Sequence, residues 1–209
     1  MRTYRLLADQ LEARRRDGRS GYLWDAQGWY GGDINKLWIK TEGEDASGEE
    51  SEEAEIQALW SRAVTPWFDF QAGVRYDLES APERRHLVVG MQGLVPYFFE
   101  IDGAAFFSDE GDITAQLEAE YDQFITQRLI LQPRIELDLA AQDIPELGIG
   151  SGLSSAEFGL RLRYEFAREL APYVGIEYER AVGGTADFVR AEGEEVGEWS
   201  VLLGVRAWF

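Results

Sequence analysis

The sequence predicts an all-β chain: a transmembrane antiparallel up-and-down β-barrel of about twelve strands, with short periplasmic turns and longer extracellular loops. Three observations carry that expectation. Apolar and polar side chains alternate with a period of two through most of the chain, a pattern that strands produce and helices do not. Short turns and longer polar loops take turns at successive junctions, as they do in outer-membrane barrels. The last stretch, Gly197–Phe209, sets Trp199, Val201, Leu203, Val205, Ala207 and Phe209 on one side, against Ser200, Gly204 and Arg206 on the other. It then stops on Trp208 and Phe209, whereas soluble domains usually end on polar residues.

Composition agrees. The 209 residues carry a formal net charge of -19, no Cys, one His, 22 Gly and 7 Trp. That length suits a single outer-membrane barrel domain over residues 1–209. A mean hydropathy of -0.32 argues against a bundle of spanning helices, and no apolar run approaches the ~18–20 residues that such a helix needs. A barrel keeps its mean hydropathy low because inward polar residues offset outward apolar ones. The acidity argues against nucleic acid as a partner. The lack of Cys removes disulfides, thiolate metal sites and Cys nucleophiles together. No signal peptide precedes the first alternating residues, as expected of a mature or trimmed chain.

Taken in order, Thr3–Ala13 is an imperfect strand running into a turn-rich RRRDGRSG. Tyr22–Tyr30 sets Tyr22, Trp24, Ala26 and Tyr30 against Asp25 and Gln27, and Gly31-Gly32-Asp33 turns the chain. In Asn35–Glu42, Leu37 and Ile39 oppose Lys36, Lys40 and Glu42, with Trp38 the exception. The acidic Gly43–Ser51 carries no alternation and reads as a long loop. In Glu53–Val64, Ile56, Ala58 and Trp60 point outward while Glu55, Gln57 and Ser61 point inward. Phe68–Leu78 alternates without a fault, and a slip of one residue would put its charges into lipid.

After Glu79–Glu83, strands are expected at Arg84–Val95 and Phe99–Phe107, then at Ile113–Asp122 beyond the Asp109–Asp112 hairpin loop. The next is carried by Leu129, Leu131, Ile135, Leu137 and Leu139. Ala141–Gly152 is a Gly-containing loop, Leu153–Phe166 and Ala171–Val182 are strands, and Gly183–Gly197 is the last long loop. Three short turns share a Pro followed by an aromatic: Pro66-Trp67, Pro96-Tyr97 and Pro172-Tyr173. Pro is tolerated where a strand begins, and the aromatics match an interfacial girdle near one rim.

Several stretches resemble the copper resistance protein B family. They include Leu7-Ala8-Asp9-Gln10-Leu11-Glu12, Trp29-Tyr30-Gly31-Gly32-Asp33-Ile34-Asn35-Lys36-Leu37-Trp38 and Gln71-Ala72-Gly73-Val74-Arg75-Tyr76-Asp77. Further on come Leu117-Glu118-Ala119-Glu120-Tyr121, Gln127-Arg128-Leu129-Ile130-Leu131-Gln132-Pro133-Arg134 and Gly148-Ile149-Gly150-Ser151-Gly152-Leu153. The resemblance implies an outer-membrane protein that binds or passes copper, with outer-membrane lipid, copper ions and periplasmic copper proteins as partners. It also implies a Met- and His-rich leader before the barrel, while this chain holds two Met and one His.

Copper's preferences point to two inward groups. Soft copper takes Met, Cys or His, and Cu(II) also takes carboxylate. His86 falls on the inward face of its strand, whereas Met91 lies an odd number of residues away and faces lipid. A hairpin folded about Asp109–Asp112 pairs Glu100 with Glu120 and Asp102 with Glu118, giving four inward carboxylates. His86, Glu100, Asp102, Glu118 and Glu120 are therefore the candidate metal residues, expected to hold copper weakly. The bland alternatives are a hydrogen bond from His86 to Asp77, and ion pairs from the carboxylates to Arg128, Arg134, Arg161 or Arg163. The acidic stretch Glu42–Glu55 either gathers cations or is a solvated loop. Two other classes compete: a passive or structural pore, and an outer-membrane hydrolase. The hydrolase needs a nucleophile beside a base, and His86 is the one imidazole, so the expectation is not an enzyme.

Overall fold

The computed structural model describes residues 2–16, 19–46, 53–78 and 84–209. The strands follow one another as β1 (Thr3–Arg16), β2 (Arg19–Gly31), β3 (Asn35–Ala46), β4 (Glu53–Ala63), β5 (Phe68–Leu78) and β6 (Arg85–Val95). Then come β7 (Phe99–Ser108), β8 (Ile113–Tyr121), β9 (Gln123–Phe124), β10 (Leu129–Ala140), β11 (Gly152–Tyr164), β12 (Leu170–Ala181), α1 (Gly183–Glu192) and β13 (Gly197–Trp208). The short β9 continues β8 past Asp122, and both pair with β10, so the sheet has twelve staves. Each stave is antiparallel to its neighbours, and β13 pairs with β1 to close the ring. We call the end carrying both chain termini the terminal end and the other the far end.

Closure follows from the environment an outward apolar surface demands. Every lipid-facing backbone N–H and C=O must be paired within the sheet, so no edge is left open. The seam runs from Leu7 opposite Trp208 to Arg16 opposite Ser200. Beyond the ladder, Leu6 and Phe209 exchange two backbone bonds of 3.0 and 2.8 Å. Trp208 adds its own N–H to the Glu169 carbonyl at 3.1 Å and its indole N–H to the Arg168 carbonyl at 2.7 Å.

The alternation read from the sequence holds strand by strand. In β5, Val74 is exposed outward while Gln71 is buried inward. The imperfection of the first strand has a local cause: a bulge at Asp9, where Ala8 pairs with Ala26 and Gln10 already pairs with Asp25. Parity flips there, so Asp9 lines the lumen cavity and the adjacent Gln10 is buried inside as well. Trp38, the exception in β3, packs inward with Leu59, Val88 and Phe106.

Three expectations are corrected. β3 does not stop at Glu42 but runs to Ala46, pairing Gly43 with Ala54. Glu44 turns inward to Arg14 while the adjacent Asp45 stands opposite the exposed Tyr22, so acids on both faces hid the alternation instead of ending it. The centre of that acidic stretch, residues 47–52, lies outside the described residues, as do residues 1, 17–18 and 79–83. The second correction is α1, inside the stretch read as a plain loop. It closes on Gly193 in the left-handed conformation that a helix C-terminus favours. The third concerns the aromatic girdle. Trp67 and Tyr97 are exposed at terminal-end turns, but Tyr173 points into the lumen and is only 4% exposed. Its ring lies over Gly204, where an added Cβ would come within 2.5 Å of Tyr173 Cζ.

The seam yields the first prediction. Removing Trp208 and Phe209 deletes the bonds that lock β13 at the terminal end, in a setting where an unpaired backbone group costs several kcal/mol. The folded, heat-modifiable band on a semi-native gel of outer-membrane fractions should fall at least tenfold, because each ~1.4 kcal/mol is a factor of ten. Trimming two residues from the Gly193–Val196 segment should leave it intact.

Candidate functional site

The lumen has two halves. On the side formed by β10–β13 and β1 it is packed with charged side chains. Glu12, Arg14, Arg161 and Glu177 form a knot in which every member is buried. Arg161 donates to Glu12 at 2.7 Å, to Glu177 at 2.9 Å and to Gln10 at 3.2 Å. Arg14 joins Glu12 at 3.2 Å and Glu177 at 3.1 Å, and the Tyr173 hydroxyl donates to Glu12 at 2.9 Å. Arg14 also reaches Glu44 at 3.3 Å, so both cations of the knot are taken up by carboxylates.

On the β2–β8 side a cavity of about 370 Å³ occupies the lumen. Eight carboxylates line it against four cationic side chains. Lys40 reaches across the barrel to Asp102 at 2.6 Å, and Arg206 holds Asp9 at 2.7 Å. Arg134 grips Glu118 through two bonds of 2.9 and 3.1 Å, and also meets Glu136 at 2.5 Å and Glu157 at 3.4 Å.

Register explains this density of acids. Glu100 stands directly opposite Glu120, and Asp102 opposite Glu118, as the hairpin in the sequence implied. The row does not stop there: Glu118 faces Glu136, Glu136 faces Glu157, Glu157 faces Glu179 and Glu179 faces Glu198. A carboxylate thus sits on each of six successive staves, climbing from the terminal half at Asp102 to the far mouth at Glu198. Like charges directly opposite one another repel. Arg134 occupies the middle of the row, and Arg16 reaches Glu179 at 3.3 Å.

The five candidate residues fall in two places. Glu100, Asp102, Glu118 and Glu120 come together in the cavity. Asp102 and Glu118 are engaged by Lys40 and Arg134, Glu120 accepts from Gln132 at 2.9 Å, and Glu100 is exposed at the terminal-end rim. Of the arginines expected to compensate them, Arg134 does so, whereas Arg161 belongs to the buried knot and Arg163 binds Asp122 at 2.6 Å. Lys40 is the partner that strand-by-strand reading missed, because it comes from the opposite wall.

His86 sits apart, at the far end of β6. Its Nε2 lies 2.9 Å from Asp77 Oδ2, its ring edge meets Phe106, and its Nδ1 is buried without a partner. Ser108 stands directly opposite, but its hydroxyl accepts the Asp112 N–H at 2.9 Å and makes no bond to the imidazole. Met91 is exposed on the outer face. Among the described residues, no three His, Asp or Glu are grouped closely enough to hold one metal ion.

The far mouth is tied together by charge. Arg84 is buried and bonds both Asp112 and Glu146, while Gln142 donates to Asp112 at 3.0 Å. The Gln142 bond and the Arg84 guanidinium hold the Asp112 carboxyl below its ordinary range. Gly150 packs against Gly184 so closely that a Cβ on Gly150 would come within 2.5 Å of Gly184 backbone, and its N–H bonds Thr185 Oγ1 at 2.9 Å. The Gly-Ile-Gly-Ser-Gly-Leu segment is therefore the seat of α1.

A closed, twelve-stave sheet with an apolar exterior and a charged lumen defines an outer-membrane β-barrel. Solved barrels agree on the fold: the NanC porin matches with a TM-score of 0.65 at 13% identity, covering 95% of this chain and 98% of that one. The KdgM porin matches with a TM-score of 0.59 at 12% identity, covering 98% of each chain. Residues 2–209 match the family described as Copper resistance protein B precursor (CopB), and the chain belongs to that family. It is 45% identical over 206 residues to Copper resistance protein B of Escherichia coli, covering 99% of this chain and 69% of that protein. It is 43% identical over 203 residues to the homolog from Pseudomonas syringae pv. tomato, covering 97% of this chain and 69% of that protein.

The buried knot yields the second prediction. Glu12→Ala would leave Arg161 with Glu177 as its one carboxylate and Arg14 with Glu177 and Glu44, and breaking a buried pair from one side costs about 3–5 kcal/mol. Urea unfolding of the refolded barrel in lipid vesicles should show that loss. Asp187→Ala, which breaks an exposed pair on α1, should change stability by less than ~0.5 kcal/mol.

Proposed function

We propose that this barrel handles copper in the bacterial outer membrane, admitting the ion to its lumen and holding it weakly through oxygen-rich ligands. The observation that supports this most directly is the twofold excess of carboxylates over cationic side chains around the cavity. A narrow lumen in which one sign of charge predominates concentrates ions of the other. Membership of the copper resistance protein B family supports copper as the ion. With Met91 outward and no Cys in the chain, Cu(I) lacks its preferred soft ligands in the barrel wall, whereas Cu(II) accepts carboxylate and imidazole.

The candidate ligands play separate parts in this reading. Glu100 and Glu120, directly opposite each other and in no ion pair with a described residue, are the first carboxylates to meet an ion at the terminal end. Asp102 and Glu118 exchange with it only as Lys40 and Arg134 let go. His86 is a second station at the far end. Asp77 fixes its ring through Nε2, which in the neutral ring leaves the Nδ1 lone pair free, the arrangement of a metal-ligating imidazole backed by a carboxylate. Periplasmic copper proteins would receive or supply the ion at the terminal end. A pore without metal preference is the second reading, favoured by the likeness to porins. The function is binding or passage rather than catalysis.

Titrating Cu(II) into the purified barrel, His86→Ala and a Glu118→Gln/Glu120→Gln double variant tests the assignment. Weak binding by the parent is expected, with each variant losing about tenfold in affinity, or ~1.4 kcal/mol. Equal binding by all three would remove both groups from the site. No binding at all would leave the pore reading in its place.

A further inference from the structure

The lumen cavity contains more unmet chemistry than copper ligation by those residues uses. Asp25 and Glu42 both line it and are direct cross-strand neighbours on β2 and β3. Neither forms a hydrogen bond or ion pair with a described residue. Glu42 in turn faces Glu55, whose charge is taken up by Arg75 at 2.7 Å. Two adjacent carboxylates are thus left facing the same space. That space also receives two donors. Gln71 is 2% exposed and Trp38 9% exposed; both line the cavity, and Gln71 Nε2 and Trp38 Nε1 are buried without any acceptor.

An occupant that satisfies both demands is positively charged and also presents hydrogen-bond acceptors. A bare metal ion meets only the first. It would also need ligands drawn to about 2 Å, and among the described residues no such group is assembled. A hydrated ion meets both: its inner waters donate to Asp25 and Glu42, and water oxygens beyond them accept from Gln71 and Trp38. The cavity of about 370 Å³ has room for about a dozen waters at ~30 Å³ each, enough for an ion with its first shell.

We propose that this cavity binds a divalent cation with its water shell intact, so that the barrel selects charge and hydrated size and does not discriminate between metals. This rests on the reading of the lumen as a cation-handling one and specifies how the cation is held there. Outer-sphere contacts do not sense ligand softness, so the order of affinities that governs direct coordination does not apply. Mn(II), Zn(II) and Cu(II) then bind this cavity within about threefold of one another, instead of spreading over orders of magnitude.

The decisive probe is hexaamminecobalt(III), whose ligands do not exchange and which binds only sites that accept an ion with its shell in place. Mn(II) bound to the purified full chain in detergent is followed by the loss of its free-ion paramagnetic resonance signal. The expected result is that hexaamminecobalt(III) displaces Mn(II), that Zn(II) and Cu(II) do so with similar potency, and that Asp25→Asn/Glu42→Gln weakens Mn(II) binding at least tenfold. Failure of hexaamminecobalt(III) to displace Mn(II) from the unaltered barrel overturns the proposal without reference to any variant, as does a copper preference of several orders of magnitude. In the latter case the copper reading stands and only the mode of holding falls. If neither Mn(II) nor Cu(II) binds, both fall together.

Discussion

A strand in hydrocarbon has no water to satisfy its backbone, and this barrel is organised around that single constraint. Pairing β13 to β1 removes the last edge, and once the ring is closed the two faces of every strand have fixed and different solvents. Outward positions must be apolar. Inward positions cannot all be apolar without erasing the alternation that holds the register, so the lumen inherits the charged residues. The long contacts across the seam, Arg161 to Glu12 and Gln10 among them, are what closure makes possible. They join strands separated by almost the whole chain.

Charge inside such a ring is arranged by register rather than by local sequence. A carboxylate on one strand meets whatever stands opposite on the next, and here successive strands answer acid with acid from Asp102 to Glu198. Repulsion along that row is relieved by a few long cations that span several rungs. Arg134 meets three carboxylates with one guanidinium, a task suited to its fork of donors and beyond a point-charge ammonium. Lys40 instead crosses the lumen to a single carboxylate. Where cations and anions interlock, as around Glu12 and Glu177, the lumen is filled. Where anions outnumber cations, it stays open as the cavity. The division of the lumen into packed and open halves is thus a consequence of where the arginines fall.

The strands and the outward faces were legible in the sequence because period two survives any local disturbance other than a bulge. The single fault in β1 was visible as imperfect alternation, and its cause at Asp9 needed the partner strands on both sides. The pairing of Glu100 with Glu120 and Asp102 with Glu118 was legible because a short hairpin leaves only one register. The rest of the acidic row was not, since it depends on registers accumulated across several hairpins. Side chains that cross the lumen, such as Lys40, leave no trace in a strand-by-strand reading. Tyr173 misled for a related reason: an aromatic after a Pro reads as an interfacial residue, and only the Gly204 gap opposite reveals that the ring turns inward. α1 was hidden by its surroundings, a Gly-rich start and an acidic end that read as loop, although Gly193 marks its C-terminus.

The two faces of each strand also divide the work of the chain. Residues such as Val74 and Phe70 hold the register by what they refuse to expose to water, and exchanging one apolar residue for another there leaves the lumen untouched. Residues such as Asp25, Glu42 and Gln71 contribute little to register, since any polar side chain would satisfy the alternation. They decide what the lumen attracts. That separation is why barrels with about an eighth of their residues in common with this chain share its backbone path, and why the backbone alone does not define a cargo. The unanswered carboxylates of β2 and β3 are therefore a property of this sequence, not of the fold. Alternation would accept Ser or Gln at both positions, so the negative charge there answers to the lumen and not to the register.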